Sequence, residues 1–228
     1  MALNRNFPRP PQRLSGGSLT FPNDLIQPQR QFYTELSFVD YGLGGMGGMS
    51  YGGAIRLPIP RKLNDVEVIL WEEWSALDKA KQFMSNSLVA GIDAVSAPVS
   101  TYFGAQVNPF QFMMFKRPNF KEHVLQWQLA PNNQQESDTL KQIINRCKKA
   151  ALPTPMGQLL MKYPQIAQVR FNPDNYLYKI KPCAIISVQV DYNGAGQPSF
   201  FNSGAPTVVN LTLQLKEIRL QNTQNYEQ

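Results

Sequence analysis

The sequence predicts a mainly β fold of the α+β type: an antiparallel β-sandwich or barrel with one packed helix, preceded by an extended and partly helical N-terminal region. Three observations carry that expectation. Apolar and polar residues alternate at 123–129, 186–192 and 209–215, the spacing that turns one face of a strand to a core. One segment, 130–152, switches to helical spacing. The stretch 1–60 is dense in Pro and Gly and cannot build a core alone. The expected organisation is an extended arm over 1–60, a helical linker over 61–100 and a β domain over 101–228.

Residues 1–31 contain Pro8, Pro10, Pro11, Gly16, Gly17, Pro22 and Pro28. They read as an arm that contacts neighbouring subunits rather than its own domain. FYTELSFVDY at 32–41 suits one strand. GLGGMGGMSYGG at 42–53 is too rich in glycine for a helix. No Lys-Ser/Thr follows it and no dinucleotide fingerprint fits, so it reads as a flexible link. Pro58 and Pro60 make 54–70 extended, an arm lying on a neighbour. From Glu72 onward, Trp74, Leu77, Lys81, Met84, Leu88, Ile92 and Val95 recur every three or four residues. One or two helices are expected over 72–95, ended by Pro98.

NPFQFMMFKRPNF at 108–120 reads as an aromatic-rich strand ended by Pro118. In the next strand His123, Leu125, Trp127 and Leu129 share one face; Val124, Gln126 and Gln128 share the other. Asn133 with Glu136 three residues on forms the start signal of a helix. Leu140, Ile143, Ile144 and Cys147 give that helix its apolar stripe, and Pro153 and Pro155 end it. Strands are expected at 168–173 and 176–192. In the second, Ile186, Val188, Val190 and Tyr192 oppose Ser187, Gln189 and Asp191. In the last strand Val209, Leu211, Leu213 and Leu215 oppose Asn210, Thr212, Gln214 and Lys216. The apolar phase then moves to Ile218 and Leu220, which predicts a β-bulge after Lys216.

A chain of 228 residues with 43% hydrophobic content supports one core, with or without an extension. Charged residues make up only 17%, below the usual quarter. Surface polarity must therefore come from Asn, Gln, Ser and Thr, and large uncharged surfaces often lie against other proteins. The net charge is +6 and the pI about 9.3, but Lys and Arg are scattered. The nearest cluster, Arg146, Lys148 and Lys149, ends the helix and complements its dipole. Cys147 and Cys183 fit no disulfide framework and read as core thiols. Met1–Pro11 has no apolar run of the signal-peptide kind. The charge-free run at 94–115 is interrupted by Pro98, Asn108 and Pro109 and does not read as a membrane helix.

Chemistry is scarce. His123 is the only histidine, and its place on an apolar face reads as core or interface rather than base or ligand. One histidine and two distant cysteines fall short of a metal site. No GxSxG nucleophile elbow is present. Glu72 and Glu73, beside Trp71 and Trp74, read as a solvated helix face. Neither a cofactor nor an enzymatic activity is expected. Phe110, Phe112, Phe115 and Phe120 interleave with Lys116, Arg117 and Lys121. That pattern suits a core strand with snorkelling cations, the favoured reading. It also suits stacking of single-stranded nucleic acid, which leaves a nucleic-acid-binding β-barrel module as the alternative function.

From Asn108 onward the order of elements resembles the baseplate tail-tube initiator and junction proteins of contractile-tailed bacteriophages, relatives of the tail-tube protein. The resemblance is carried by VLQWQLAPNNQQESDTLKQIINRC (124–147), YKIKPCAIISVQVDY (178–192) and GQPSFFNSGAPTVVNLTLQLKEI (196–218). It implies that 101–228 is a tail-tube-like β domain. It further implies a structural virion protein that forms a homo-hexameric ring in the phage baseplate, assembled in the host cytoplasm. Such a ring meets hub and wedge proteins on one side and the tail-tube protein or a second junction ring on the other. It initiates the tube, touches DNA only as DNA passes through its channel, and involves no membrane. On this reading Ser187, Gln189, Asp191, Asn210, Thr212 and Gln214 line the lumen, because an uncharged polar face suits a passage for a polyanion. The loop carrying Asn193, Gly194, Gly196, Phe200 and Phe201 then reaches a neighbouring subunit or ring.

Overall fold

A computed structural model describes residues 17–26, 32–41, 53–75, 111–156, 159–174 and 176–224. In chain order these form β1 (Leu19–Thr20), β2 (Tyr33–Val39), β3 (Ile55–Leu57), β4 (Ile69–Ser75), β5 (Gln111–Pro118) and β6 (Glu122–Leu129). Helix α1 (Gln134–Ala151) follows, then β7 (Thr154–Met156), β8 (Leu160–Lys162), β9 (Ile166–Asn172), β10 (Cys183–Asp191) and β11 (Val209–Glu217). Among the described residues the fold is mainly β with one packed helix. The chain divides into two units, Met1–Val66 with Phe120–Gln228, and Glu67–Asn119. The boundaries expected at 60 and 100 match neither edge of the second unit.

The first unit is built on a seven-stranded sheet in the order β1-β3-β2-β9-β10-β11-β6, in which only β1 and β3 run parallel. Strands β10, β11 and β6 pair along nearly their whole lengths. By contrast, β9 and β10 share only the pairs Cys183–Ala167 and Ala184–Ile166. At the far end, the indole Nε1 of Trp127 donates to the Pro58 carbonyl (2.7 Å) and Arg61 N–H donates to the Gln126 carbonyl (2.8 Å). The sheet therefore bends at its β9–β10 corner, and its β6 edge meets the chain leaving β3. Leu36, Phe38 and Ile55 from one half share a core with Leu125, Trp127 and Leu211 from the other. One bent sheet around one core thus takes the place of two facing sheets.

Helix α1 begins where the sequence placed it. The Asn133 side chain accepts Glu136 N–H at 2.8 Å. The buried Glu136 carboxylate accepts the N–H groups of Asn132 (2.8 Å) and Asn23 (3.0 Å), so it caps the helix and anchors the N-terminal segment together. Leu140, Ile143, Ile144 and Cys147 are all buried. Their stripe is the layer that lets the alternating strands hide one face.

Several expectations are corrected. Residues 17–26 are no arm: β1 pairs with β3, and Phe21 and Leu25 are buried in the same unit. Likewise Ile55 and Leu57 are fully buried, so 54–57 is sheet rather than a strap on a neighbour. Short apolar stretches between prolines suffice once a sheet edge is there to receive them. The helix expected from Glu72 is contradicted over 72–75, which belong to β4. Trp71 and Trp74 fit helical spacing, but pairing with β5 overrides it. The remainder of that expected helix, the glycine-rich link at 42–52 and residues 1–16 lie outside the described residues. The bulge sits at Ile186 in β10, not after Lys216. Alternation in β11 continues inward to Glu217, a position the sequence hid because the buried residue there is charged.

The second unit contains the antiparallel ribbon β4–β5. Trp71 meets Phe115 edge-on (centroids 5.9 Å apart), Trp74 lies against Phe112 (6.5 Å), and Lys116 Nζ pairs with Glu72 Oε2 (3.2 Å). Trp71, Phe112, Met113 and Phe115 are about half exposed. The core assignment of Phe112 and Phe115 is therefore corrected: among the described residues of the ribbon each aromatic is covered by its cross-strand partner alone. Phe110 lies outside the described residues. Phe120 is half-buried in the first unit. Lys121 is buried rather than snorkelling, ion-paired with Asp65 and set over the Tyr178 ring.

Candidate functional site

The six residues expected to line a channel fall on one contiguous surface. In β10 the bulge keeps Val188 and Val190 inward and turns Ser187, Gln189 and Asp191 outward. Opposite them across the ladder stand Gln214, Thr212 and Asn210 of β11. The next strand extends each row, pairing Asn210 with Gln128, Thr212 with Gln126 and Gln214 with Val124. Ser187 Oγ donates across the strands to Gln214 Oε1 (3.3 Å). Leu211, Leu213, Leu125 and Trp127, on the opposite side of the same strands, are buried.

This face is nearly free of net charge. At one end Lys216 Nζ pairs with Glu122 Oε1 at 2.7 Å, so the two charges cancel locally. At the other end Asp191 Oδ1 accepts Asn193 N–H at 2.8 Å, which spends the carboxylate on opening the turn. Between them lie amides, hydroxyls, Val124 and Ile186, the last 55% exposed at the bulge although alternation places it on the core face. Gln126, Gln128 and Val124 were not among the residues predicted to line the channel. Their signal was available in the alternation at 123–129, since any strand paired with β11 must continue its outer face.

The β10–β11 connection is ordered rather than a loose tether. Gly196 N–H donates to Asn193 O (2.8 Å), and Gly196 takes φ +85°, a conformation that excludes most side chains. Gly194 O accepts from Gln128 Nε2 at 2.8 Å. A Cβ on Gly194 would lie 2.9 Å from Val208 Cγ1, so close approach explains the glycine. Asn193, Gly194 and Gly196 thus fold back toward their own sheet. Beyond them a small hairpin is closed by Thr207 N–H to Ser199 O (3.0 Å) and Phe201 N–H to Ala205 O (2.8 Å). Phe200 and Phe201 sit on it, 56% and 40% exposed. Of the five predicted loop residues, Asn193, Gly196, Phe200 and Phe201 are exposed and Gly194 is half-buried.

His123 is buried, with Nε2 3.1 Å from Glu217 Oε1 and its ring stacked on Tyr178 (centroids 5.7 Å). Burial pushes the Glu217 carboxyl up. The hydrogen bonds with His123 and Gln221, the His123 charge and the Lys181 N–H outweigh it and hold the group below the usual glutamate range. The pair joins the ends of β6 and β11, and its burial leaves no route for a substrate. Burial also raises both thiols, Cys147 to about 12; neither is a nucleophile at neutral pH. Among the described residues no group of three or more His, Cys, Asp and Glu side chains could hold a metal ion, and no helix is long and apolar enough to cross a membrane. The chain matches no known family model and none of the curated proteins.

Proposed function

We infer that this chain is a ring-forming structural protein of a phage baseplate, a tail-tube initiator or junction protein whose β10–β11–β6 face lines a DNA channel. One observation supports the reading above others: three paired strands present an outer face mainly of amides and hydroxyls over an inner one that is apolar apart from the His123–Glu217 pair. A polyanion slides past such a surface without being held by cations or repelled by carboxylates. The short β9–β10 junction adds to it, because β10 beyond Ala184 has a strand neighbour on one side only among the described residues. An open edge of this kind is a hazard in a monomer and is removed when subunits pair around a ring.

The alternative, a nucleic-acid-binding module, draws on the exposed Phe112 and Phe115. The ribbon that carries them sets Glu72 and Glu73 against Lys116 and Arg117, so it lacks the excess positive charge such binding requires. Two measurements test the ring. Negative-stain imaging of the protein alone and with baseplate hub should show six-fold rings, in the mixture at least; particles that stay monomeric in both would refute it. Placing Arg at Gln189 and Gln214 together should change stability by no more than about 0.5 kcal/mol, as for other surface sites, and should slow DNA ejection from intact particles. Normal ejection by the double variant removes these positions from the channel.

A further inference from the structure

Strands β7 and β8 pair only with each other among the described residues. Their hairpin is apolar on both faces: Met156 stands opposite Leu160, and Pro155 opposite Met161. A hairpin with one solvated side alternates instead. Leu152, Met156, Leu159, Leu160, Met161 and Tyr163 are all more than half exposed, Leu159 almost completely (96%). Taking roughly 200 Å² for a whole residue of this size, the six expose on the order of 800 Å². That exceeds the apolar patch of a typical monomer and is close to one partner's share of a standard interface. The root of the hairpin is fixed. Lys162 Nζ donates to Asp40 Oδ2 (2.6 Å), and Gln165 N–H donates to the Ala150 carbonyl (2.9 Å), which ties it to the C-terminal end of α1.

The same unit carries a second unfinished surface. Beyond Ala184, β10 has β11 on one side and no strand on the other among the described residues. Its inward residues show the lack. Ile185, Val188 and Val190 are only half-buried against the core, whereas Leu211, Leu213 and Leu215 of β11 are 2% exposed or less. On the outer side the bulge leaves Ile186 exposed. Such an edge lacks a neighbour that is apolar on both faces, one to finish the inner cover and one to cover Ile186. Charge does not oppose the contact. Lys162, the one charged residue of β7 and β8, is paired with Asp40. Asp191, the one charged residue of β10, accepts Asn193 N–H.

We propose that the β7–β8 hairpin of one copy of this chain docks along the open β10 edge of the next. Each copy is then donor on one side and acceptor on the other. The contact is head-to-tail, the kind that closes into a ring when the rotation allows. A second copy is the occupant that covers both patches at once, and it brings no like charges together. The proposal rests on the ring reading in requiring a second copy, and it names the contact which that reading leaves unassigned.

The test uses the full chain with one added cysteine, Met161→Cys or Ile186→Cys; the native Cys147 and Cys183 are fully buried. A short bismaleimide is added to each variant alone, to the two mixed, and to the mixture with baseplate hub. Cross-linked dimers are expected in the mixtures and in neither variant alone. The Met161→Cys/Ile186→Cys variant should give a ladder. A ladder ending at six subunits supports contact and ring together; one ending elsewhere keeps the contact and removes the six-fold ring. Six-fold rings without these cross-links keep the ring and overturn the contact. Leu160→Ser/Met161→Ser should weaken self-association at least about tenfold in sedimentation. Both side chains are exposed, and melting the variant checks that it is folded. Unimpaired assembly of that variant overturns the proposal. So do cross-links within one single-cysteine variant, which mark a two-fold contact. Binding of phosphatidylcholine vesicles by the native chain but not by the serine variant also overturns it, because the hairpin would then belong to lipid.

Discussion

Strand β11 and strand β5 belong to antiparallel pairs of similar length, and β5 is the more aromatic of the two. Yet every second residue of β11 is buried, whereas Gln111–Arg117 of β5 is exposed throughout. The difference lies in what stands opposite. Behind β11 are α1 and the other half of a bent sheet, so Leu211, Leu213 and Leu215 lose nearly all contact with water. Behind β5 no second layer stands among the described residues of its unit, and among them its aromatics meet their cross-strand partners. Apolar content measures how much a strand gains from a layer, not whether one is present.

The comparison is broken most severely by emptying the layered core. Phe21→Ala should cost about 3–5 kcal/mol, because Phe21 is 3% exposed and belongs to the common core. A loss near zero in urea unfolding would return residues 17–26 to the role of a detachable arm. Ile144→Ala, on the helix that forms the second layer, should cost about 2–5 kcal/mol; an unchanged midpoint would mean that α1 does not supply that layer.

A milder probe is acid. Glu217 has a depressed native pKa, so its contribution to stability is full above its ordinary value near 4.5 and is lost as pH falls through the native value. Glu217→Gln should therefore flatten the fall of stability below about pH 4.5, leaving the part due to Asp40, which is also depressed. Parallel acid limbs in wild type and variant would show that the buried pair does not carry this linkage. The smallest effect is expected in the ribbon: Phe115→Ala should cost about 0.5–1.5 kcal/mol, the worth of one edge-on aromatic pair. A loss comparable to that of Ile144→Ala would show that β5 is packed as β11 is.

Most of the first unit was legible in the chain. The alternation of β6 and β11 fixed which side faces the core, since period two leaves a strand only two choices; in β10 it held for Val188 and Val190, while the bulge left Ile186 exposed and Ile185 inward. The Asn133–Glu136 cap and the Leu140–Cys147 stripe located the helix. The same alternation placed Ser187, Gln189, Asp191, Asn210, Thr212 and Gln214 on one surface. Other features depended on partners far away in sequence. Phe21 and Ile55 are buried because β1 and β3 find the edge of β2, a contact that no local pattern among prolines reveals. Trp71 and Trp74 fit a helix by spacing, but they form a strand because Gln111–Pro118 pairs with them. Glu217 is buried because His123, on the neighbouring strand, can hold its charge. The Asp40–Lys162 ion pair likewise joins residues 122 positions apart. Periodicity is a local property and the sequence by itself determined it; what each face meets is non-local, and only the tertiary structure decided it.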